Sequence, residues 1–174
     1  RLLYDSGLKV PLIIRFPDGQ RAGKRDDRLV SFVDFPMTVL SLAGIEPPSF
    51  MQGEAFEGKF KSKTVRKYIH GHADRFDESV DMIRAVRSKK YKYFKNFHPE
   101  KPYYLPLAFR ERLPSMQELL RMRDAGELDE NQSLWFRKTK PEEELFDTEN
   151  DPHELKNIAN DPQYADILLE MRQE

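Results

Sequence analysis

The sequence predicts an α/β fold with an α+β C-terminal part, and three observations carry that reading. An apolar run over residues 8–16 is followed by a helical pattern starting at Asp34. Short β-rich segments then recur between Lys67 and Phe97, with another at Glu144–Asp147. The chain closes on an amphipathic stripe, Tyr164, Ile167, Leu168 and Met171, at i, i+3, i+4 and i+7 spacing.

Leu8-Lys9-Val10-Pro11-Leu12-Ile13-Ile14-Arg15-Phe16 has the unbroken apolar pattern of a strand covered on both faces. Pro17-Asp18-Gly19 ends it, and the charged stretch Arg21–Arg28 reads as a solvated loop. Asp34 suits a helix N-cap, and Pro36 is tolerated in the first turn. Phe35, Val39, Leu40, Leu42 and Ala43 give that helix an apolar face, and Gly44 with Pro47-Pro48 stops it.

After a loop over 49–66, Lys67–His72, Met82–Arg87 and Tyr91–Phe97 read as antiparallel strands, the last two joined by Ser88-Lys89-Lys90. The three prolines in 98–113 keep that stretch looped, and Ser115–Ala125 has a helical pattern ended by Gly126. Glu144–Asp147 supplies a fourth strand. The last helix is expected to be capped by Asp161, with Pro162 at its first position and its apolar stripe on the small sheet.

Charged residues make up 34% of the 174 residues, above the roughly 25% of an average chain, so the core is modest. The 29 Lys and Arg nearly balance the 30 Asp and Glu, leaving a formal charge of -1. No global field then draws the chain to nucleic acid or an anionic membrane, and no apolar run is long enough for a spanning helix. Cysteine is absent, which excludes disulfides, thiolate metal sites and a Cys nucleophile within these residues.

Histidine is the scarce chemical resource. Strand alternation puts His70, His72 and Asp74 on one side, an arrangement with metal-ligand chemistry but without a third distant ligand. We read it as structural rather than metal-binding. Asp74-Arg75-Phe76-Asp77-Glu78 combines an anion-binding guanidinium with carboxylates suited to sugar hydroxyls, although a solvated turn with internal ion pairs has the same composition. Arg84, Arg87, Lys89, Lys90, Lys92 and Lys95, interleaved with Tyr91, Tyr93, Phe94 and Phe97, are compatible with a stacking platform for single-stranded nucleic acid. A half-buried strand with one wet face explains that alternation better. His153, in the turn after Asp151-Pro152, reads as a hydrogen-bond partner.

Four motifs, in order, resemble the C-terminal part of the formylglycine-dependent sulfatases, a branch of the alkaline phosphatase superfamily. Tyr4-Asp5-Ser6-Gly7 leading to Pro11 and Phe16-Pro17 is similar to the family's Tyr-Glu-Gly-Gly-x-x-x-Pro strand. Val33-Asp34-Phe35-Pro36-Met37-Thr38-Val39-Leu40-Ser41-Leu42-Ala43-Gly44 resembles Val-Asp-x-x-Pro-Thr-x-Leu-x-Leu-Ala-Gly. Arg84-Ala85-Val86-Arg87 with Tyr91-Lys92 resembles Arg-x-Val-Arg-x-x-x-Tyr-Lys, and Glu144-Leu145-Phe146-Asp147 with Asp151-Pro152-His153-Glu154 and Asn157 resembles Glu-Leu-Tyr-Asp with Asp-Pro-x-Glu and Asn. Pro102-Tyr103-Tyr104 and Trp135 look most like the heparan N-sulfatase type.

The resemblance implies the end of a large alkaline-phosphatase-like α/β domain over residues 1–60 and a sulfatase C-terminal subdomain over 61–174, a four-stranded antiparallel sheet packed by the terminal helix. It implies hydrolysis of a sulfate ester or sulfamate, on a sulfated saccharide or aryl substrate, by a formylglycine beside Ca2+. Nucleophile and calcium motifs would precede Arg1, as would the family's Lys, four positions before Tyr4. These 174 residues alone are therefore expected to be inactive and to expose the apolar faces of 10–16 and 35–42. Substrate contacts are expected from His98, after the Tyr91–Phe97 strand, and then from His72, His70, Arg75, Asp74 and Asp77. Family habit implies a periplasmic, extracellular or lysosomal location. The other readings are a phosphodiesterase or phosphonate hydrolase of the same superfamily and a non-catalytic carbohydrate or interaction module.

Overall fold

The computed structural model describes residues 3–76 and 78–174. In chain order its elements are α1 (Asp5–Leu8), α2 (Asp34–Leu42), β1 (Ile69–Phe76), β2 (Ser79–Arg87), β3 (Tyr91–Asn96), α3 (Ala108–Glu111), α4 (Pro114–Ala125), α5 (Glu130–Leu134), β4 (Glu143–Asp147) and α6 (Ala165–Gln173), with 3-10 turns at Pro17–Gly19 and Pro162–Tyr164. Two compact units result. One holds the chain up to Val10 with His70–Val86 and Lys90–Glu174, and the other holds Pro11–Ile69 with Arg87–Lys89.

The first unit is built on a four-stranded sheet in the order β1-β2-β3-β4. Its β3–β4 register pairs Lys92 with Phe146 and Phe94 with Glu144, antiparallel. Period-two alternation therefore puts Lys92, Phe94, Asn96, Glu144 and Phe146 on one face. Phe94 and Phe146 meet Leu3, Ile83 and Ala85 there to form the core, and the Tyr4 ring lies 5.0 Å from that of Phe94. The opposite face of β3 presents Tyr91 and Tyr93 to the C-terminal segment, with Tyr164 6.3 Å from Tyr91. The wet face expected of β3 is thus missing: Lys92, Tyr93 and Phe94 are all buried, because chain covers both sides of the strand.

The terminal helix starts as its cap chemistry requires. Asp161 accepts from Gln163 N at 3.0 Å, Pro162 takes the first position, and one 3-10 turn precedes the α-helix. Leu168 and Met171 are its buried positions. Between β3 and β4, α4 ends on Gly126 in the left-handed region, as its sequence predicts. Asp129 and Gln132 form a capping box at the start of α5.

The chain up to Leu42 departs from the sequence reading in three places. No strand forms over residues 8–16: α1 closes one helical turn through Leu8, and residues 9–16 carry no regular structure. Val10, Leu12, Ile13 and Ile14 are exposed. A strand needs a ladder partner for its N–H and C=O groups, and all four described strands pair among themselves between Ile69 and Asp147. Helix α2 is present but buries a polar face. Its buried residues are Asp34, Thr38 and Ser41, while Val39 and Leu42 on the apolar side are exposed.

Asp34 is not the N-cap expected from sequence. Val33 occupies that position, and the Asp34 carboxylate reaches back to Ser31 N and across to Glu54 N, both at 2.8 Å. Phe56 N donates to Thr38 Oγ1 and Phe60 N to Ser41 Oγ. Three acceptors along one helix face thereby satisfy the backbone of the loop over 54–60, which has no ladder of its own.

Candidate functional site

The densest polar arrangement lies on the core face of the sheet. Because β3 alternates, Lys92 shares a face with Phe94, so its ammonium must find anions inside the protein. Lys92 Nζ lies 2.8 Å from Asp5 Oδ1 and 3.0 Å from Glu154 Oε1. The Asp5 backbone N–H donates to Glu154 Oε2 at 2.5 Å. Lys92 and Glu154 side chains are both only 1% exposed. Beside this triad, Glu144 accepts from Tyr4 Oη and from Asn96 Nδ2, each at 2.8 Å. Burial, and then the charge of Glu144, push the Tyr4 phenol far above its ordinary range, so it stays a donor. Burial likewise raises the Glu154 carboxyl, against the opposing pull of the Asp5 N–H and Lys92.

Sequence reasoning does not single out this cluster as a site, although a signal for it exists. Lys92, in the hairpin motif, has the parity of a core Phe, and the acidic residues Asp5, Glu144 and Glu154 stand within two of the other resemblance motifs. Those motifs converge here in space, joining the arm at Tyr4–Asp5 to β3, β4 and the turn after β4.

The residues expected to contact substrate are placed in several surroundings. His70, His72 and Asp74 alternate as exposed positions on β1, on one side as predicted. Asp74 is engaged by Arg84 Nη1 at 2.5 Å. Arg75 is exposed, and Asp77 and Arg1 lie outside the described residues. His70, together with Arg84, Tyr93, Lys95 and Arg172, lines a cleft of about 640 Å3 on the α6 side of the sheet. Its cations already have anions: Lys95 pairs with Glu142, and Arg172 with Glu143, which also accepts from Tyr93 Oη. His72, Asp74, Arg75 and His98 are not among the residues lining it.

His98 is half-buried in the turn after β3, with Nδ1 3.2 Å from Glu100 Oε1. Four contacts fix this turn. Phe97 N donates to Met82 O, Lys101 N to His98 O, and Lys140 N to Pro99 O, while Lys101 Nζ reaches Val80 O. Beneath it Lys140 Nζ pairs with Asp81 Oδ2 at 2.6 Å, with none of the Lys140 side chain exposed. The imidazole is therefore presented from a rigid support, as a binding residue on a loop requires.

Among the described residues no group of three His, Asp or Glu side chains is arranged to hold a metal ion, and the chain has no Cys. A Cys-derived formylglycine has no parent residue within these 174. A nucleic-acid platform on β3 does not fit, because Tyr93 and Phe94 are buried with 6% and 2% exposure. No described helix is long and apolar enough to cross a membrane.

Residues 1–111 match the family described as N-sulphoglucosamine sulphohydrolase, C-terminal. An ulvan-active sulfatase of Formosa agariphila is 56% identical over the whole chain, which spans 29% of that relative's length. Human N-sulphoglucosamine sulphohydrolase is 24% identical over 98% of the chain and 36% of its own length. The solved structure of a 2-O GAG sulfatase superposes with a TM-score of 0.54 over 86% of the chain and 25% of its own, at 24% identity, a likeness of fold.

Proposed function

The chain belongs to the N-sulphoglucosamine sulphohydrolase C-terminal family, and from that premise we propose that it is the C-terminal portion of a sulfatase that hydrolyses sulfate esters or sulfamates of a sulfated saccharide. The observation that carries this reading is 56% identity, over every residue of the chain, to an ulvan-active sulfatase. A sulfated polysaccharide of the ulvan kind is accordingly the first substrate to try. Since the chain spans 29% of that relative, the formylglycine nucleophile and Ca2+ that this chemistry implies are assigned to residues outside these 174. A sulfuryl group gathers negative charge on its oxygens as the leaving bond breaks, so the reaction needs preorganised positive charge and a proton donor.

Within that reading these residues bind and orient. His98, on its clamped turn, is proposed to contact the sulfated sugar. His70, His72, Arg75, Asp74 and Asp77 are proposed as further saccharide contacts from β1 and the turn after it, where imidazole, guanidinium and carboxylate groups suit hydroxyls and anions. The large-domain end over 1–60 and the subdomain over 61–174 are proposed as the working halves of this piece. A periplasmic, extracellular or lysosomal location goes with such a substrate.

The test is sulfate release by the full-length protein from ulvan-derived and glucosamine-based sulfated oligosaccharides, run beside a phosphodiester and a phosphonate of similar size. Release from a sulfated sugar, with the phosphorus compounds left intact, is expected. Hydrolysis of the phosphorus compounds alone would transfer the protein to the other branch of the superfamily, and saccharide binding without release would make it a carbohydrate-binding module.

A further inference from the structure

The formal charge of -1 conceals a segregation of charge along the chain. The second unit, residues 11–69 with 87–89, carries twelve Lys and Arg against seven Asp and Glu, a formal +5. The rest of the chain carries seventeen against twenty-three, a formal -6. Within the second unit the cations gather on two loops: residues 21–28 and 57–67 hold nine of the twelve, with Asp26, Asp27 and Glu57 as their acids. The loops are tied together. Arg21 Nη1 lies 2.7 Å from Glu57 Oε1, Arg28 Nη2 and Lys61 Nζ each lie 3.7 Å from the same oxygen, and Arg28 Nη1 donates to Phe56 O at 2.6 Å. A single carboxylate, 12% exposed, thus collects three cations and offsets one of them.

The remaining acids are also taken: Asp26 by Arg28, Asp27 by Lys89, and Asp34 of α2 by Arg66. Lys24, Arg25, Lys59, Lys63 and Lys67 are exposed and form no ion pair among the described residues. Like charges crowded on one surface repel each other and oppose the compact state, so such a concentration on a nearly neutral chain points to an anion that it receives. Spread over two open loops, these cations match charges repeated along a polymer better than one small anion. We propose that the loops over residues 21–28 and 57–67 form a basic surface that holds a sulfated polysaccharide chain. Sulfate oxygens accept from ammonium and guanidinium alike. Single-stranded nucleic acid is less suited, since it stacks its bases on open aromatic faces; here Arg21 lies over the Phe16 ring at 5.2 Å and Lys59 over Phe60 at 5.3 Å. The identity of the polymer rests on the sulfatase reading above, whereas the surface's affinity for polyanions does not.

The experiment uses the full-length protein with Lys24→Glu, Arg25→Glu and Lys63→Glu combined. All three positions are exposed and unpaired, so the fold is expected to be kept, which thermal unfolding verifies. A control triple, Arg112→Glu, Lys138→Glu and Lys156→Glu, changes the net charge equally from exposed positions of the other unit. Binding of long-chain ulvan is measured from about 50 to 200 mM salt, beside sulfate release by the wild type from an ulvan-derived disaccharide. The first triple is expected to lose on the order of tenfold or more in affinity at the lower salt and to show a shallower salt dependence. The control is expected to stay within about twofold of wild type. Should the first triple melt early, Lys24→Gln, Arg25→Gln and Lys63→Gln together are expected to give a smaller loss in the same direction. No binding of ulvan by the wild type, wild-type affinity in the variants, or an equal loss in both triples would overturn the surface. A loss seen only with single-stranded DNA or anionic vesicles would take it from the saccharide. If the wild type releases no sulfate, the functional reading fails and ulvan binding decides alone: a loss confined to the first triple upholds the surface, and unchanged binding removes it.

Discussion

Lys92 Nζ stands 2.8 Å from Asp5 Oδ1 across 87 residues of sequence, on a strand position whose side chain is 1% exposed. That pair, with Glu154, places two carboxylates around one ammonium inside the sheet unit. Removing the ammonium takes the cation from both carboxylates, that of Glu154 wholly buried and that of Asp5 12% exposed, which costs about 3–5 kcal/mol. We expect Lys92→Met to destabilise the unit by that amount, and the combination Lys92→Met, Asp5→Asn and Glu154→Gln to recover most of it. Free energies from exchange of the β3 amides measure both, and a Lys92→Met variant as stable as wild type would show the charges to be solvated.

Helix α2 tests whether polar burial can organise a segment. Gly58 has φ 92, and a Cβ there would stand 2.4 Å from Ser41 C and 2.6 Å from Leu42 N, backbone atoms that cannot step aside. Gly58→Ala is therefore expected to cost more than about 2 kcal/mol in the loop over 51–62. Ser41→Ala, which removes the acceptor of Phe60 N, is expected to cost about 1–2 kcal/mol. Exchange rates of the Phe56 and Phe60 amides report each effect, and equal protection in Gly58→Ala and wild type would contradict the close approach.

Much of the sheet unit is legible in the sequence because its signals are local. Alternation and Ser88-Lys89-Lys90 mark the β2–β3 hairpin, Gly126 the end of α4, and Asp161-Pro162 the start of the last helix. What fails requires knowledge of partners. The pattern of residues 8–16 describes a strand only where another strand lies beside it, and its exposed Ile13 shows that none of the described strands does. The apolar stripe of α2 announces a buried face, but the loop over 54–60 needs acceptors and takes the Asp34, Thr38 and Ser41 side instead. Lysine usually faces water, which makes the β3 alternation look half wet; the parity of Lys92 with Phe94 carries the opposite message. Of the candidate site, sequence identifies the exposed histidines of β1 and the turn holding His98, but not the buried carboxylates that fasten the arm.

The Glu143–Arg172 pair gives the terminal helix an acid-sensitive tether. Arg172 donates through Nε at 2.7 Å and through Nη2, and these bonds hold the Glu143 carboxyl below its ordinary range, with Tyr93 Oη adding another. A depressed folded-state value means the tether's contribution is complete above the unfolded carboxyl value of about 4.3 and disappears as pH falls through the lower folded value. The pair is partly exposed, so its worth is about 1 kcal/mol. Denaturant unfolding of wild type and Arg172→Gln from pH 7 down to pH 2 should show a gap that closes below about pH 4. A gap that stays constant across that range would remove Glu143 from the account.

The turn bearing His98 separates a clamp from the residue it presents. Lys140 pairs with Asp81 beneath the turn with its side chain wholly buried, and its backbone N–H closes on Pro99 O at 2.8 Å. Lys140→Met strands the Asp81 carboxylate, so a loss of about 3 kcal/mol and faster exchange at Lys101 are expected. His98 has 37% of its side chain exposed, and its ring nitrogen pairs with Glu100 at the surface. His98→Ala should then change stability by no more than about 0.5 kcal/mol. In the full-length protein it should raise KM for a sulfated saccharide, since an interaction removed equally from bound substrate and transition state shows there rather than in kcat. Thermal unfolding and steady-state kinetics on the same preparation divide the two roles. A His98→Ala protein that melts early but keeps its KM would make the imidazole part of the clamp and leave the saccharide to other side chains.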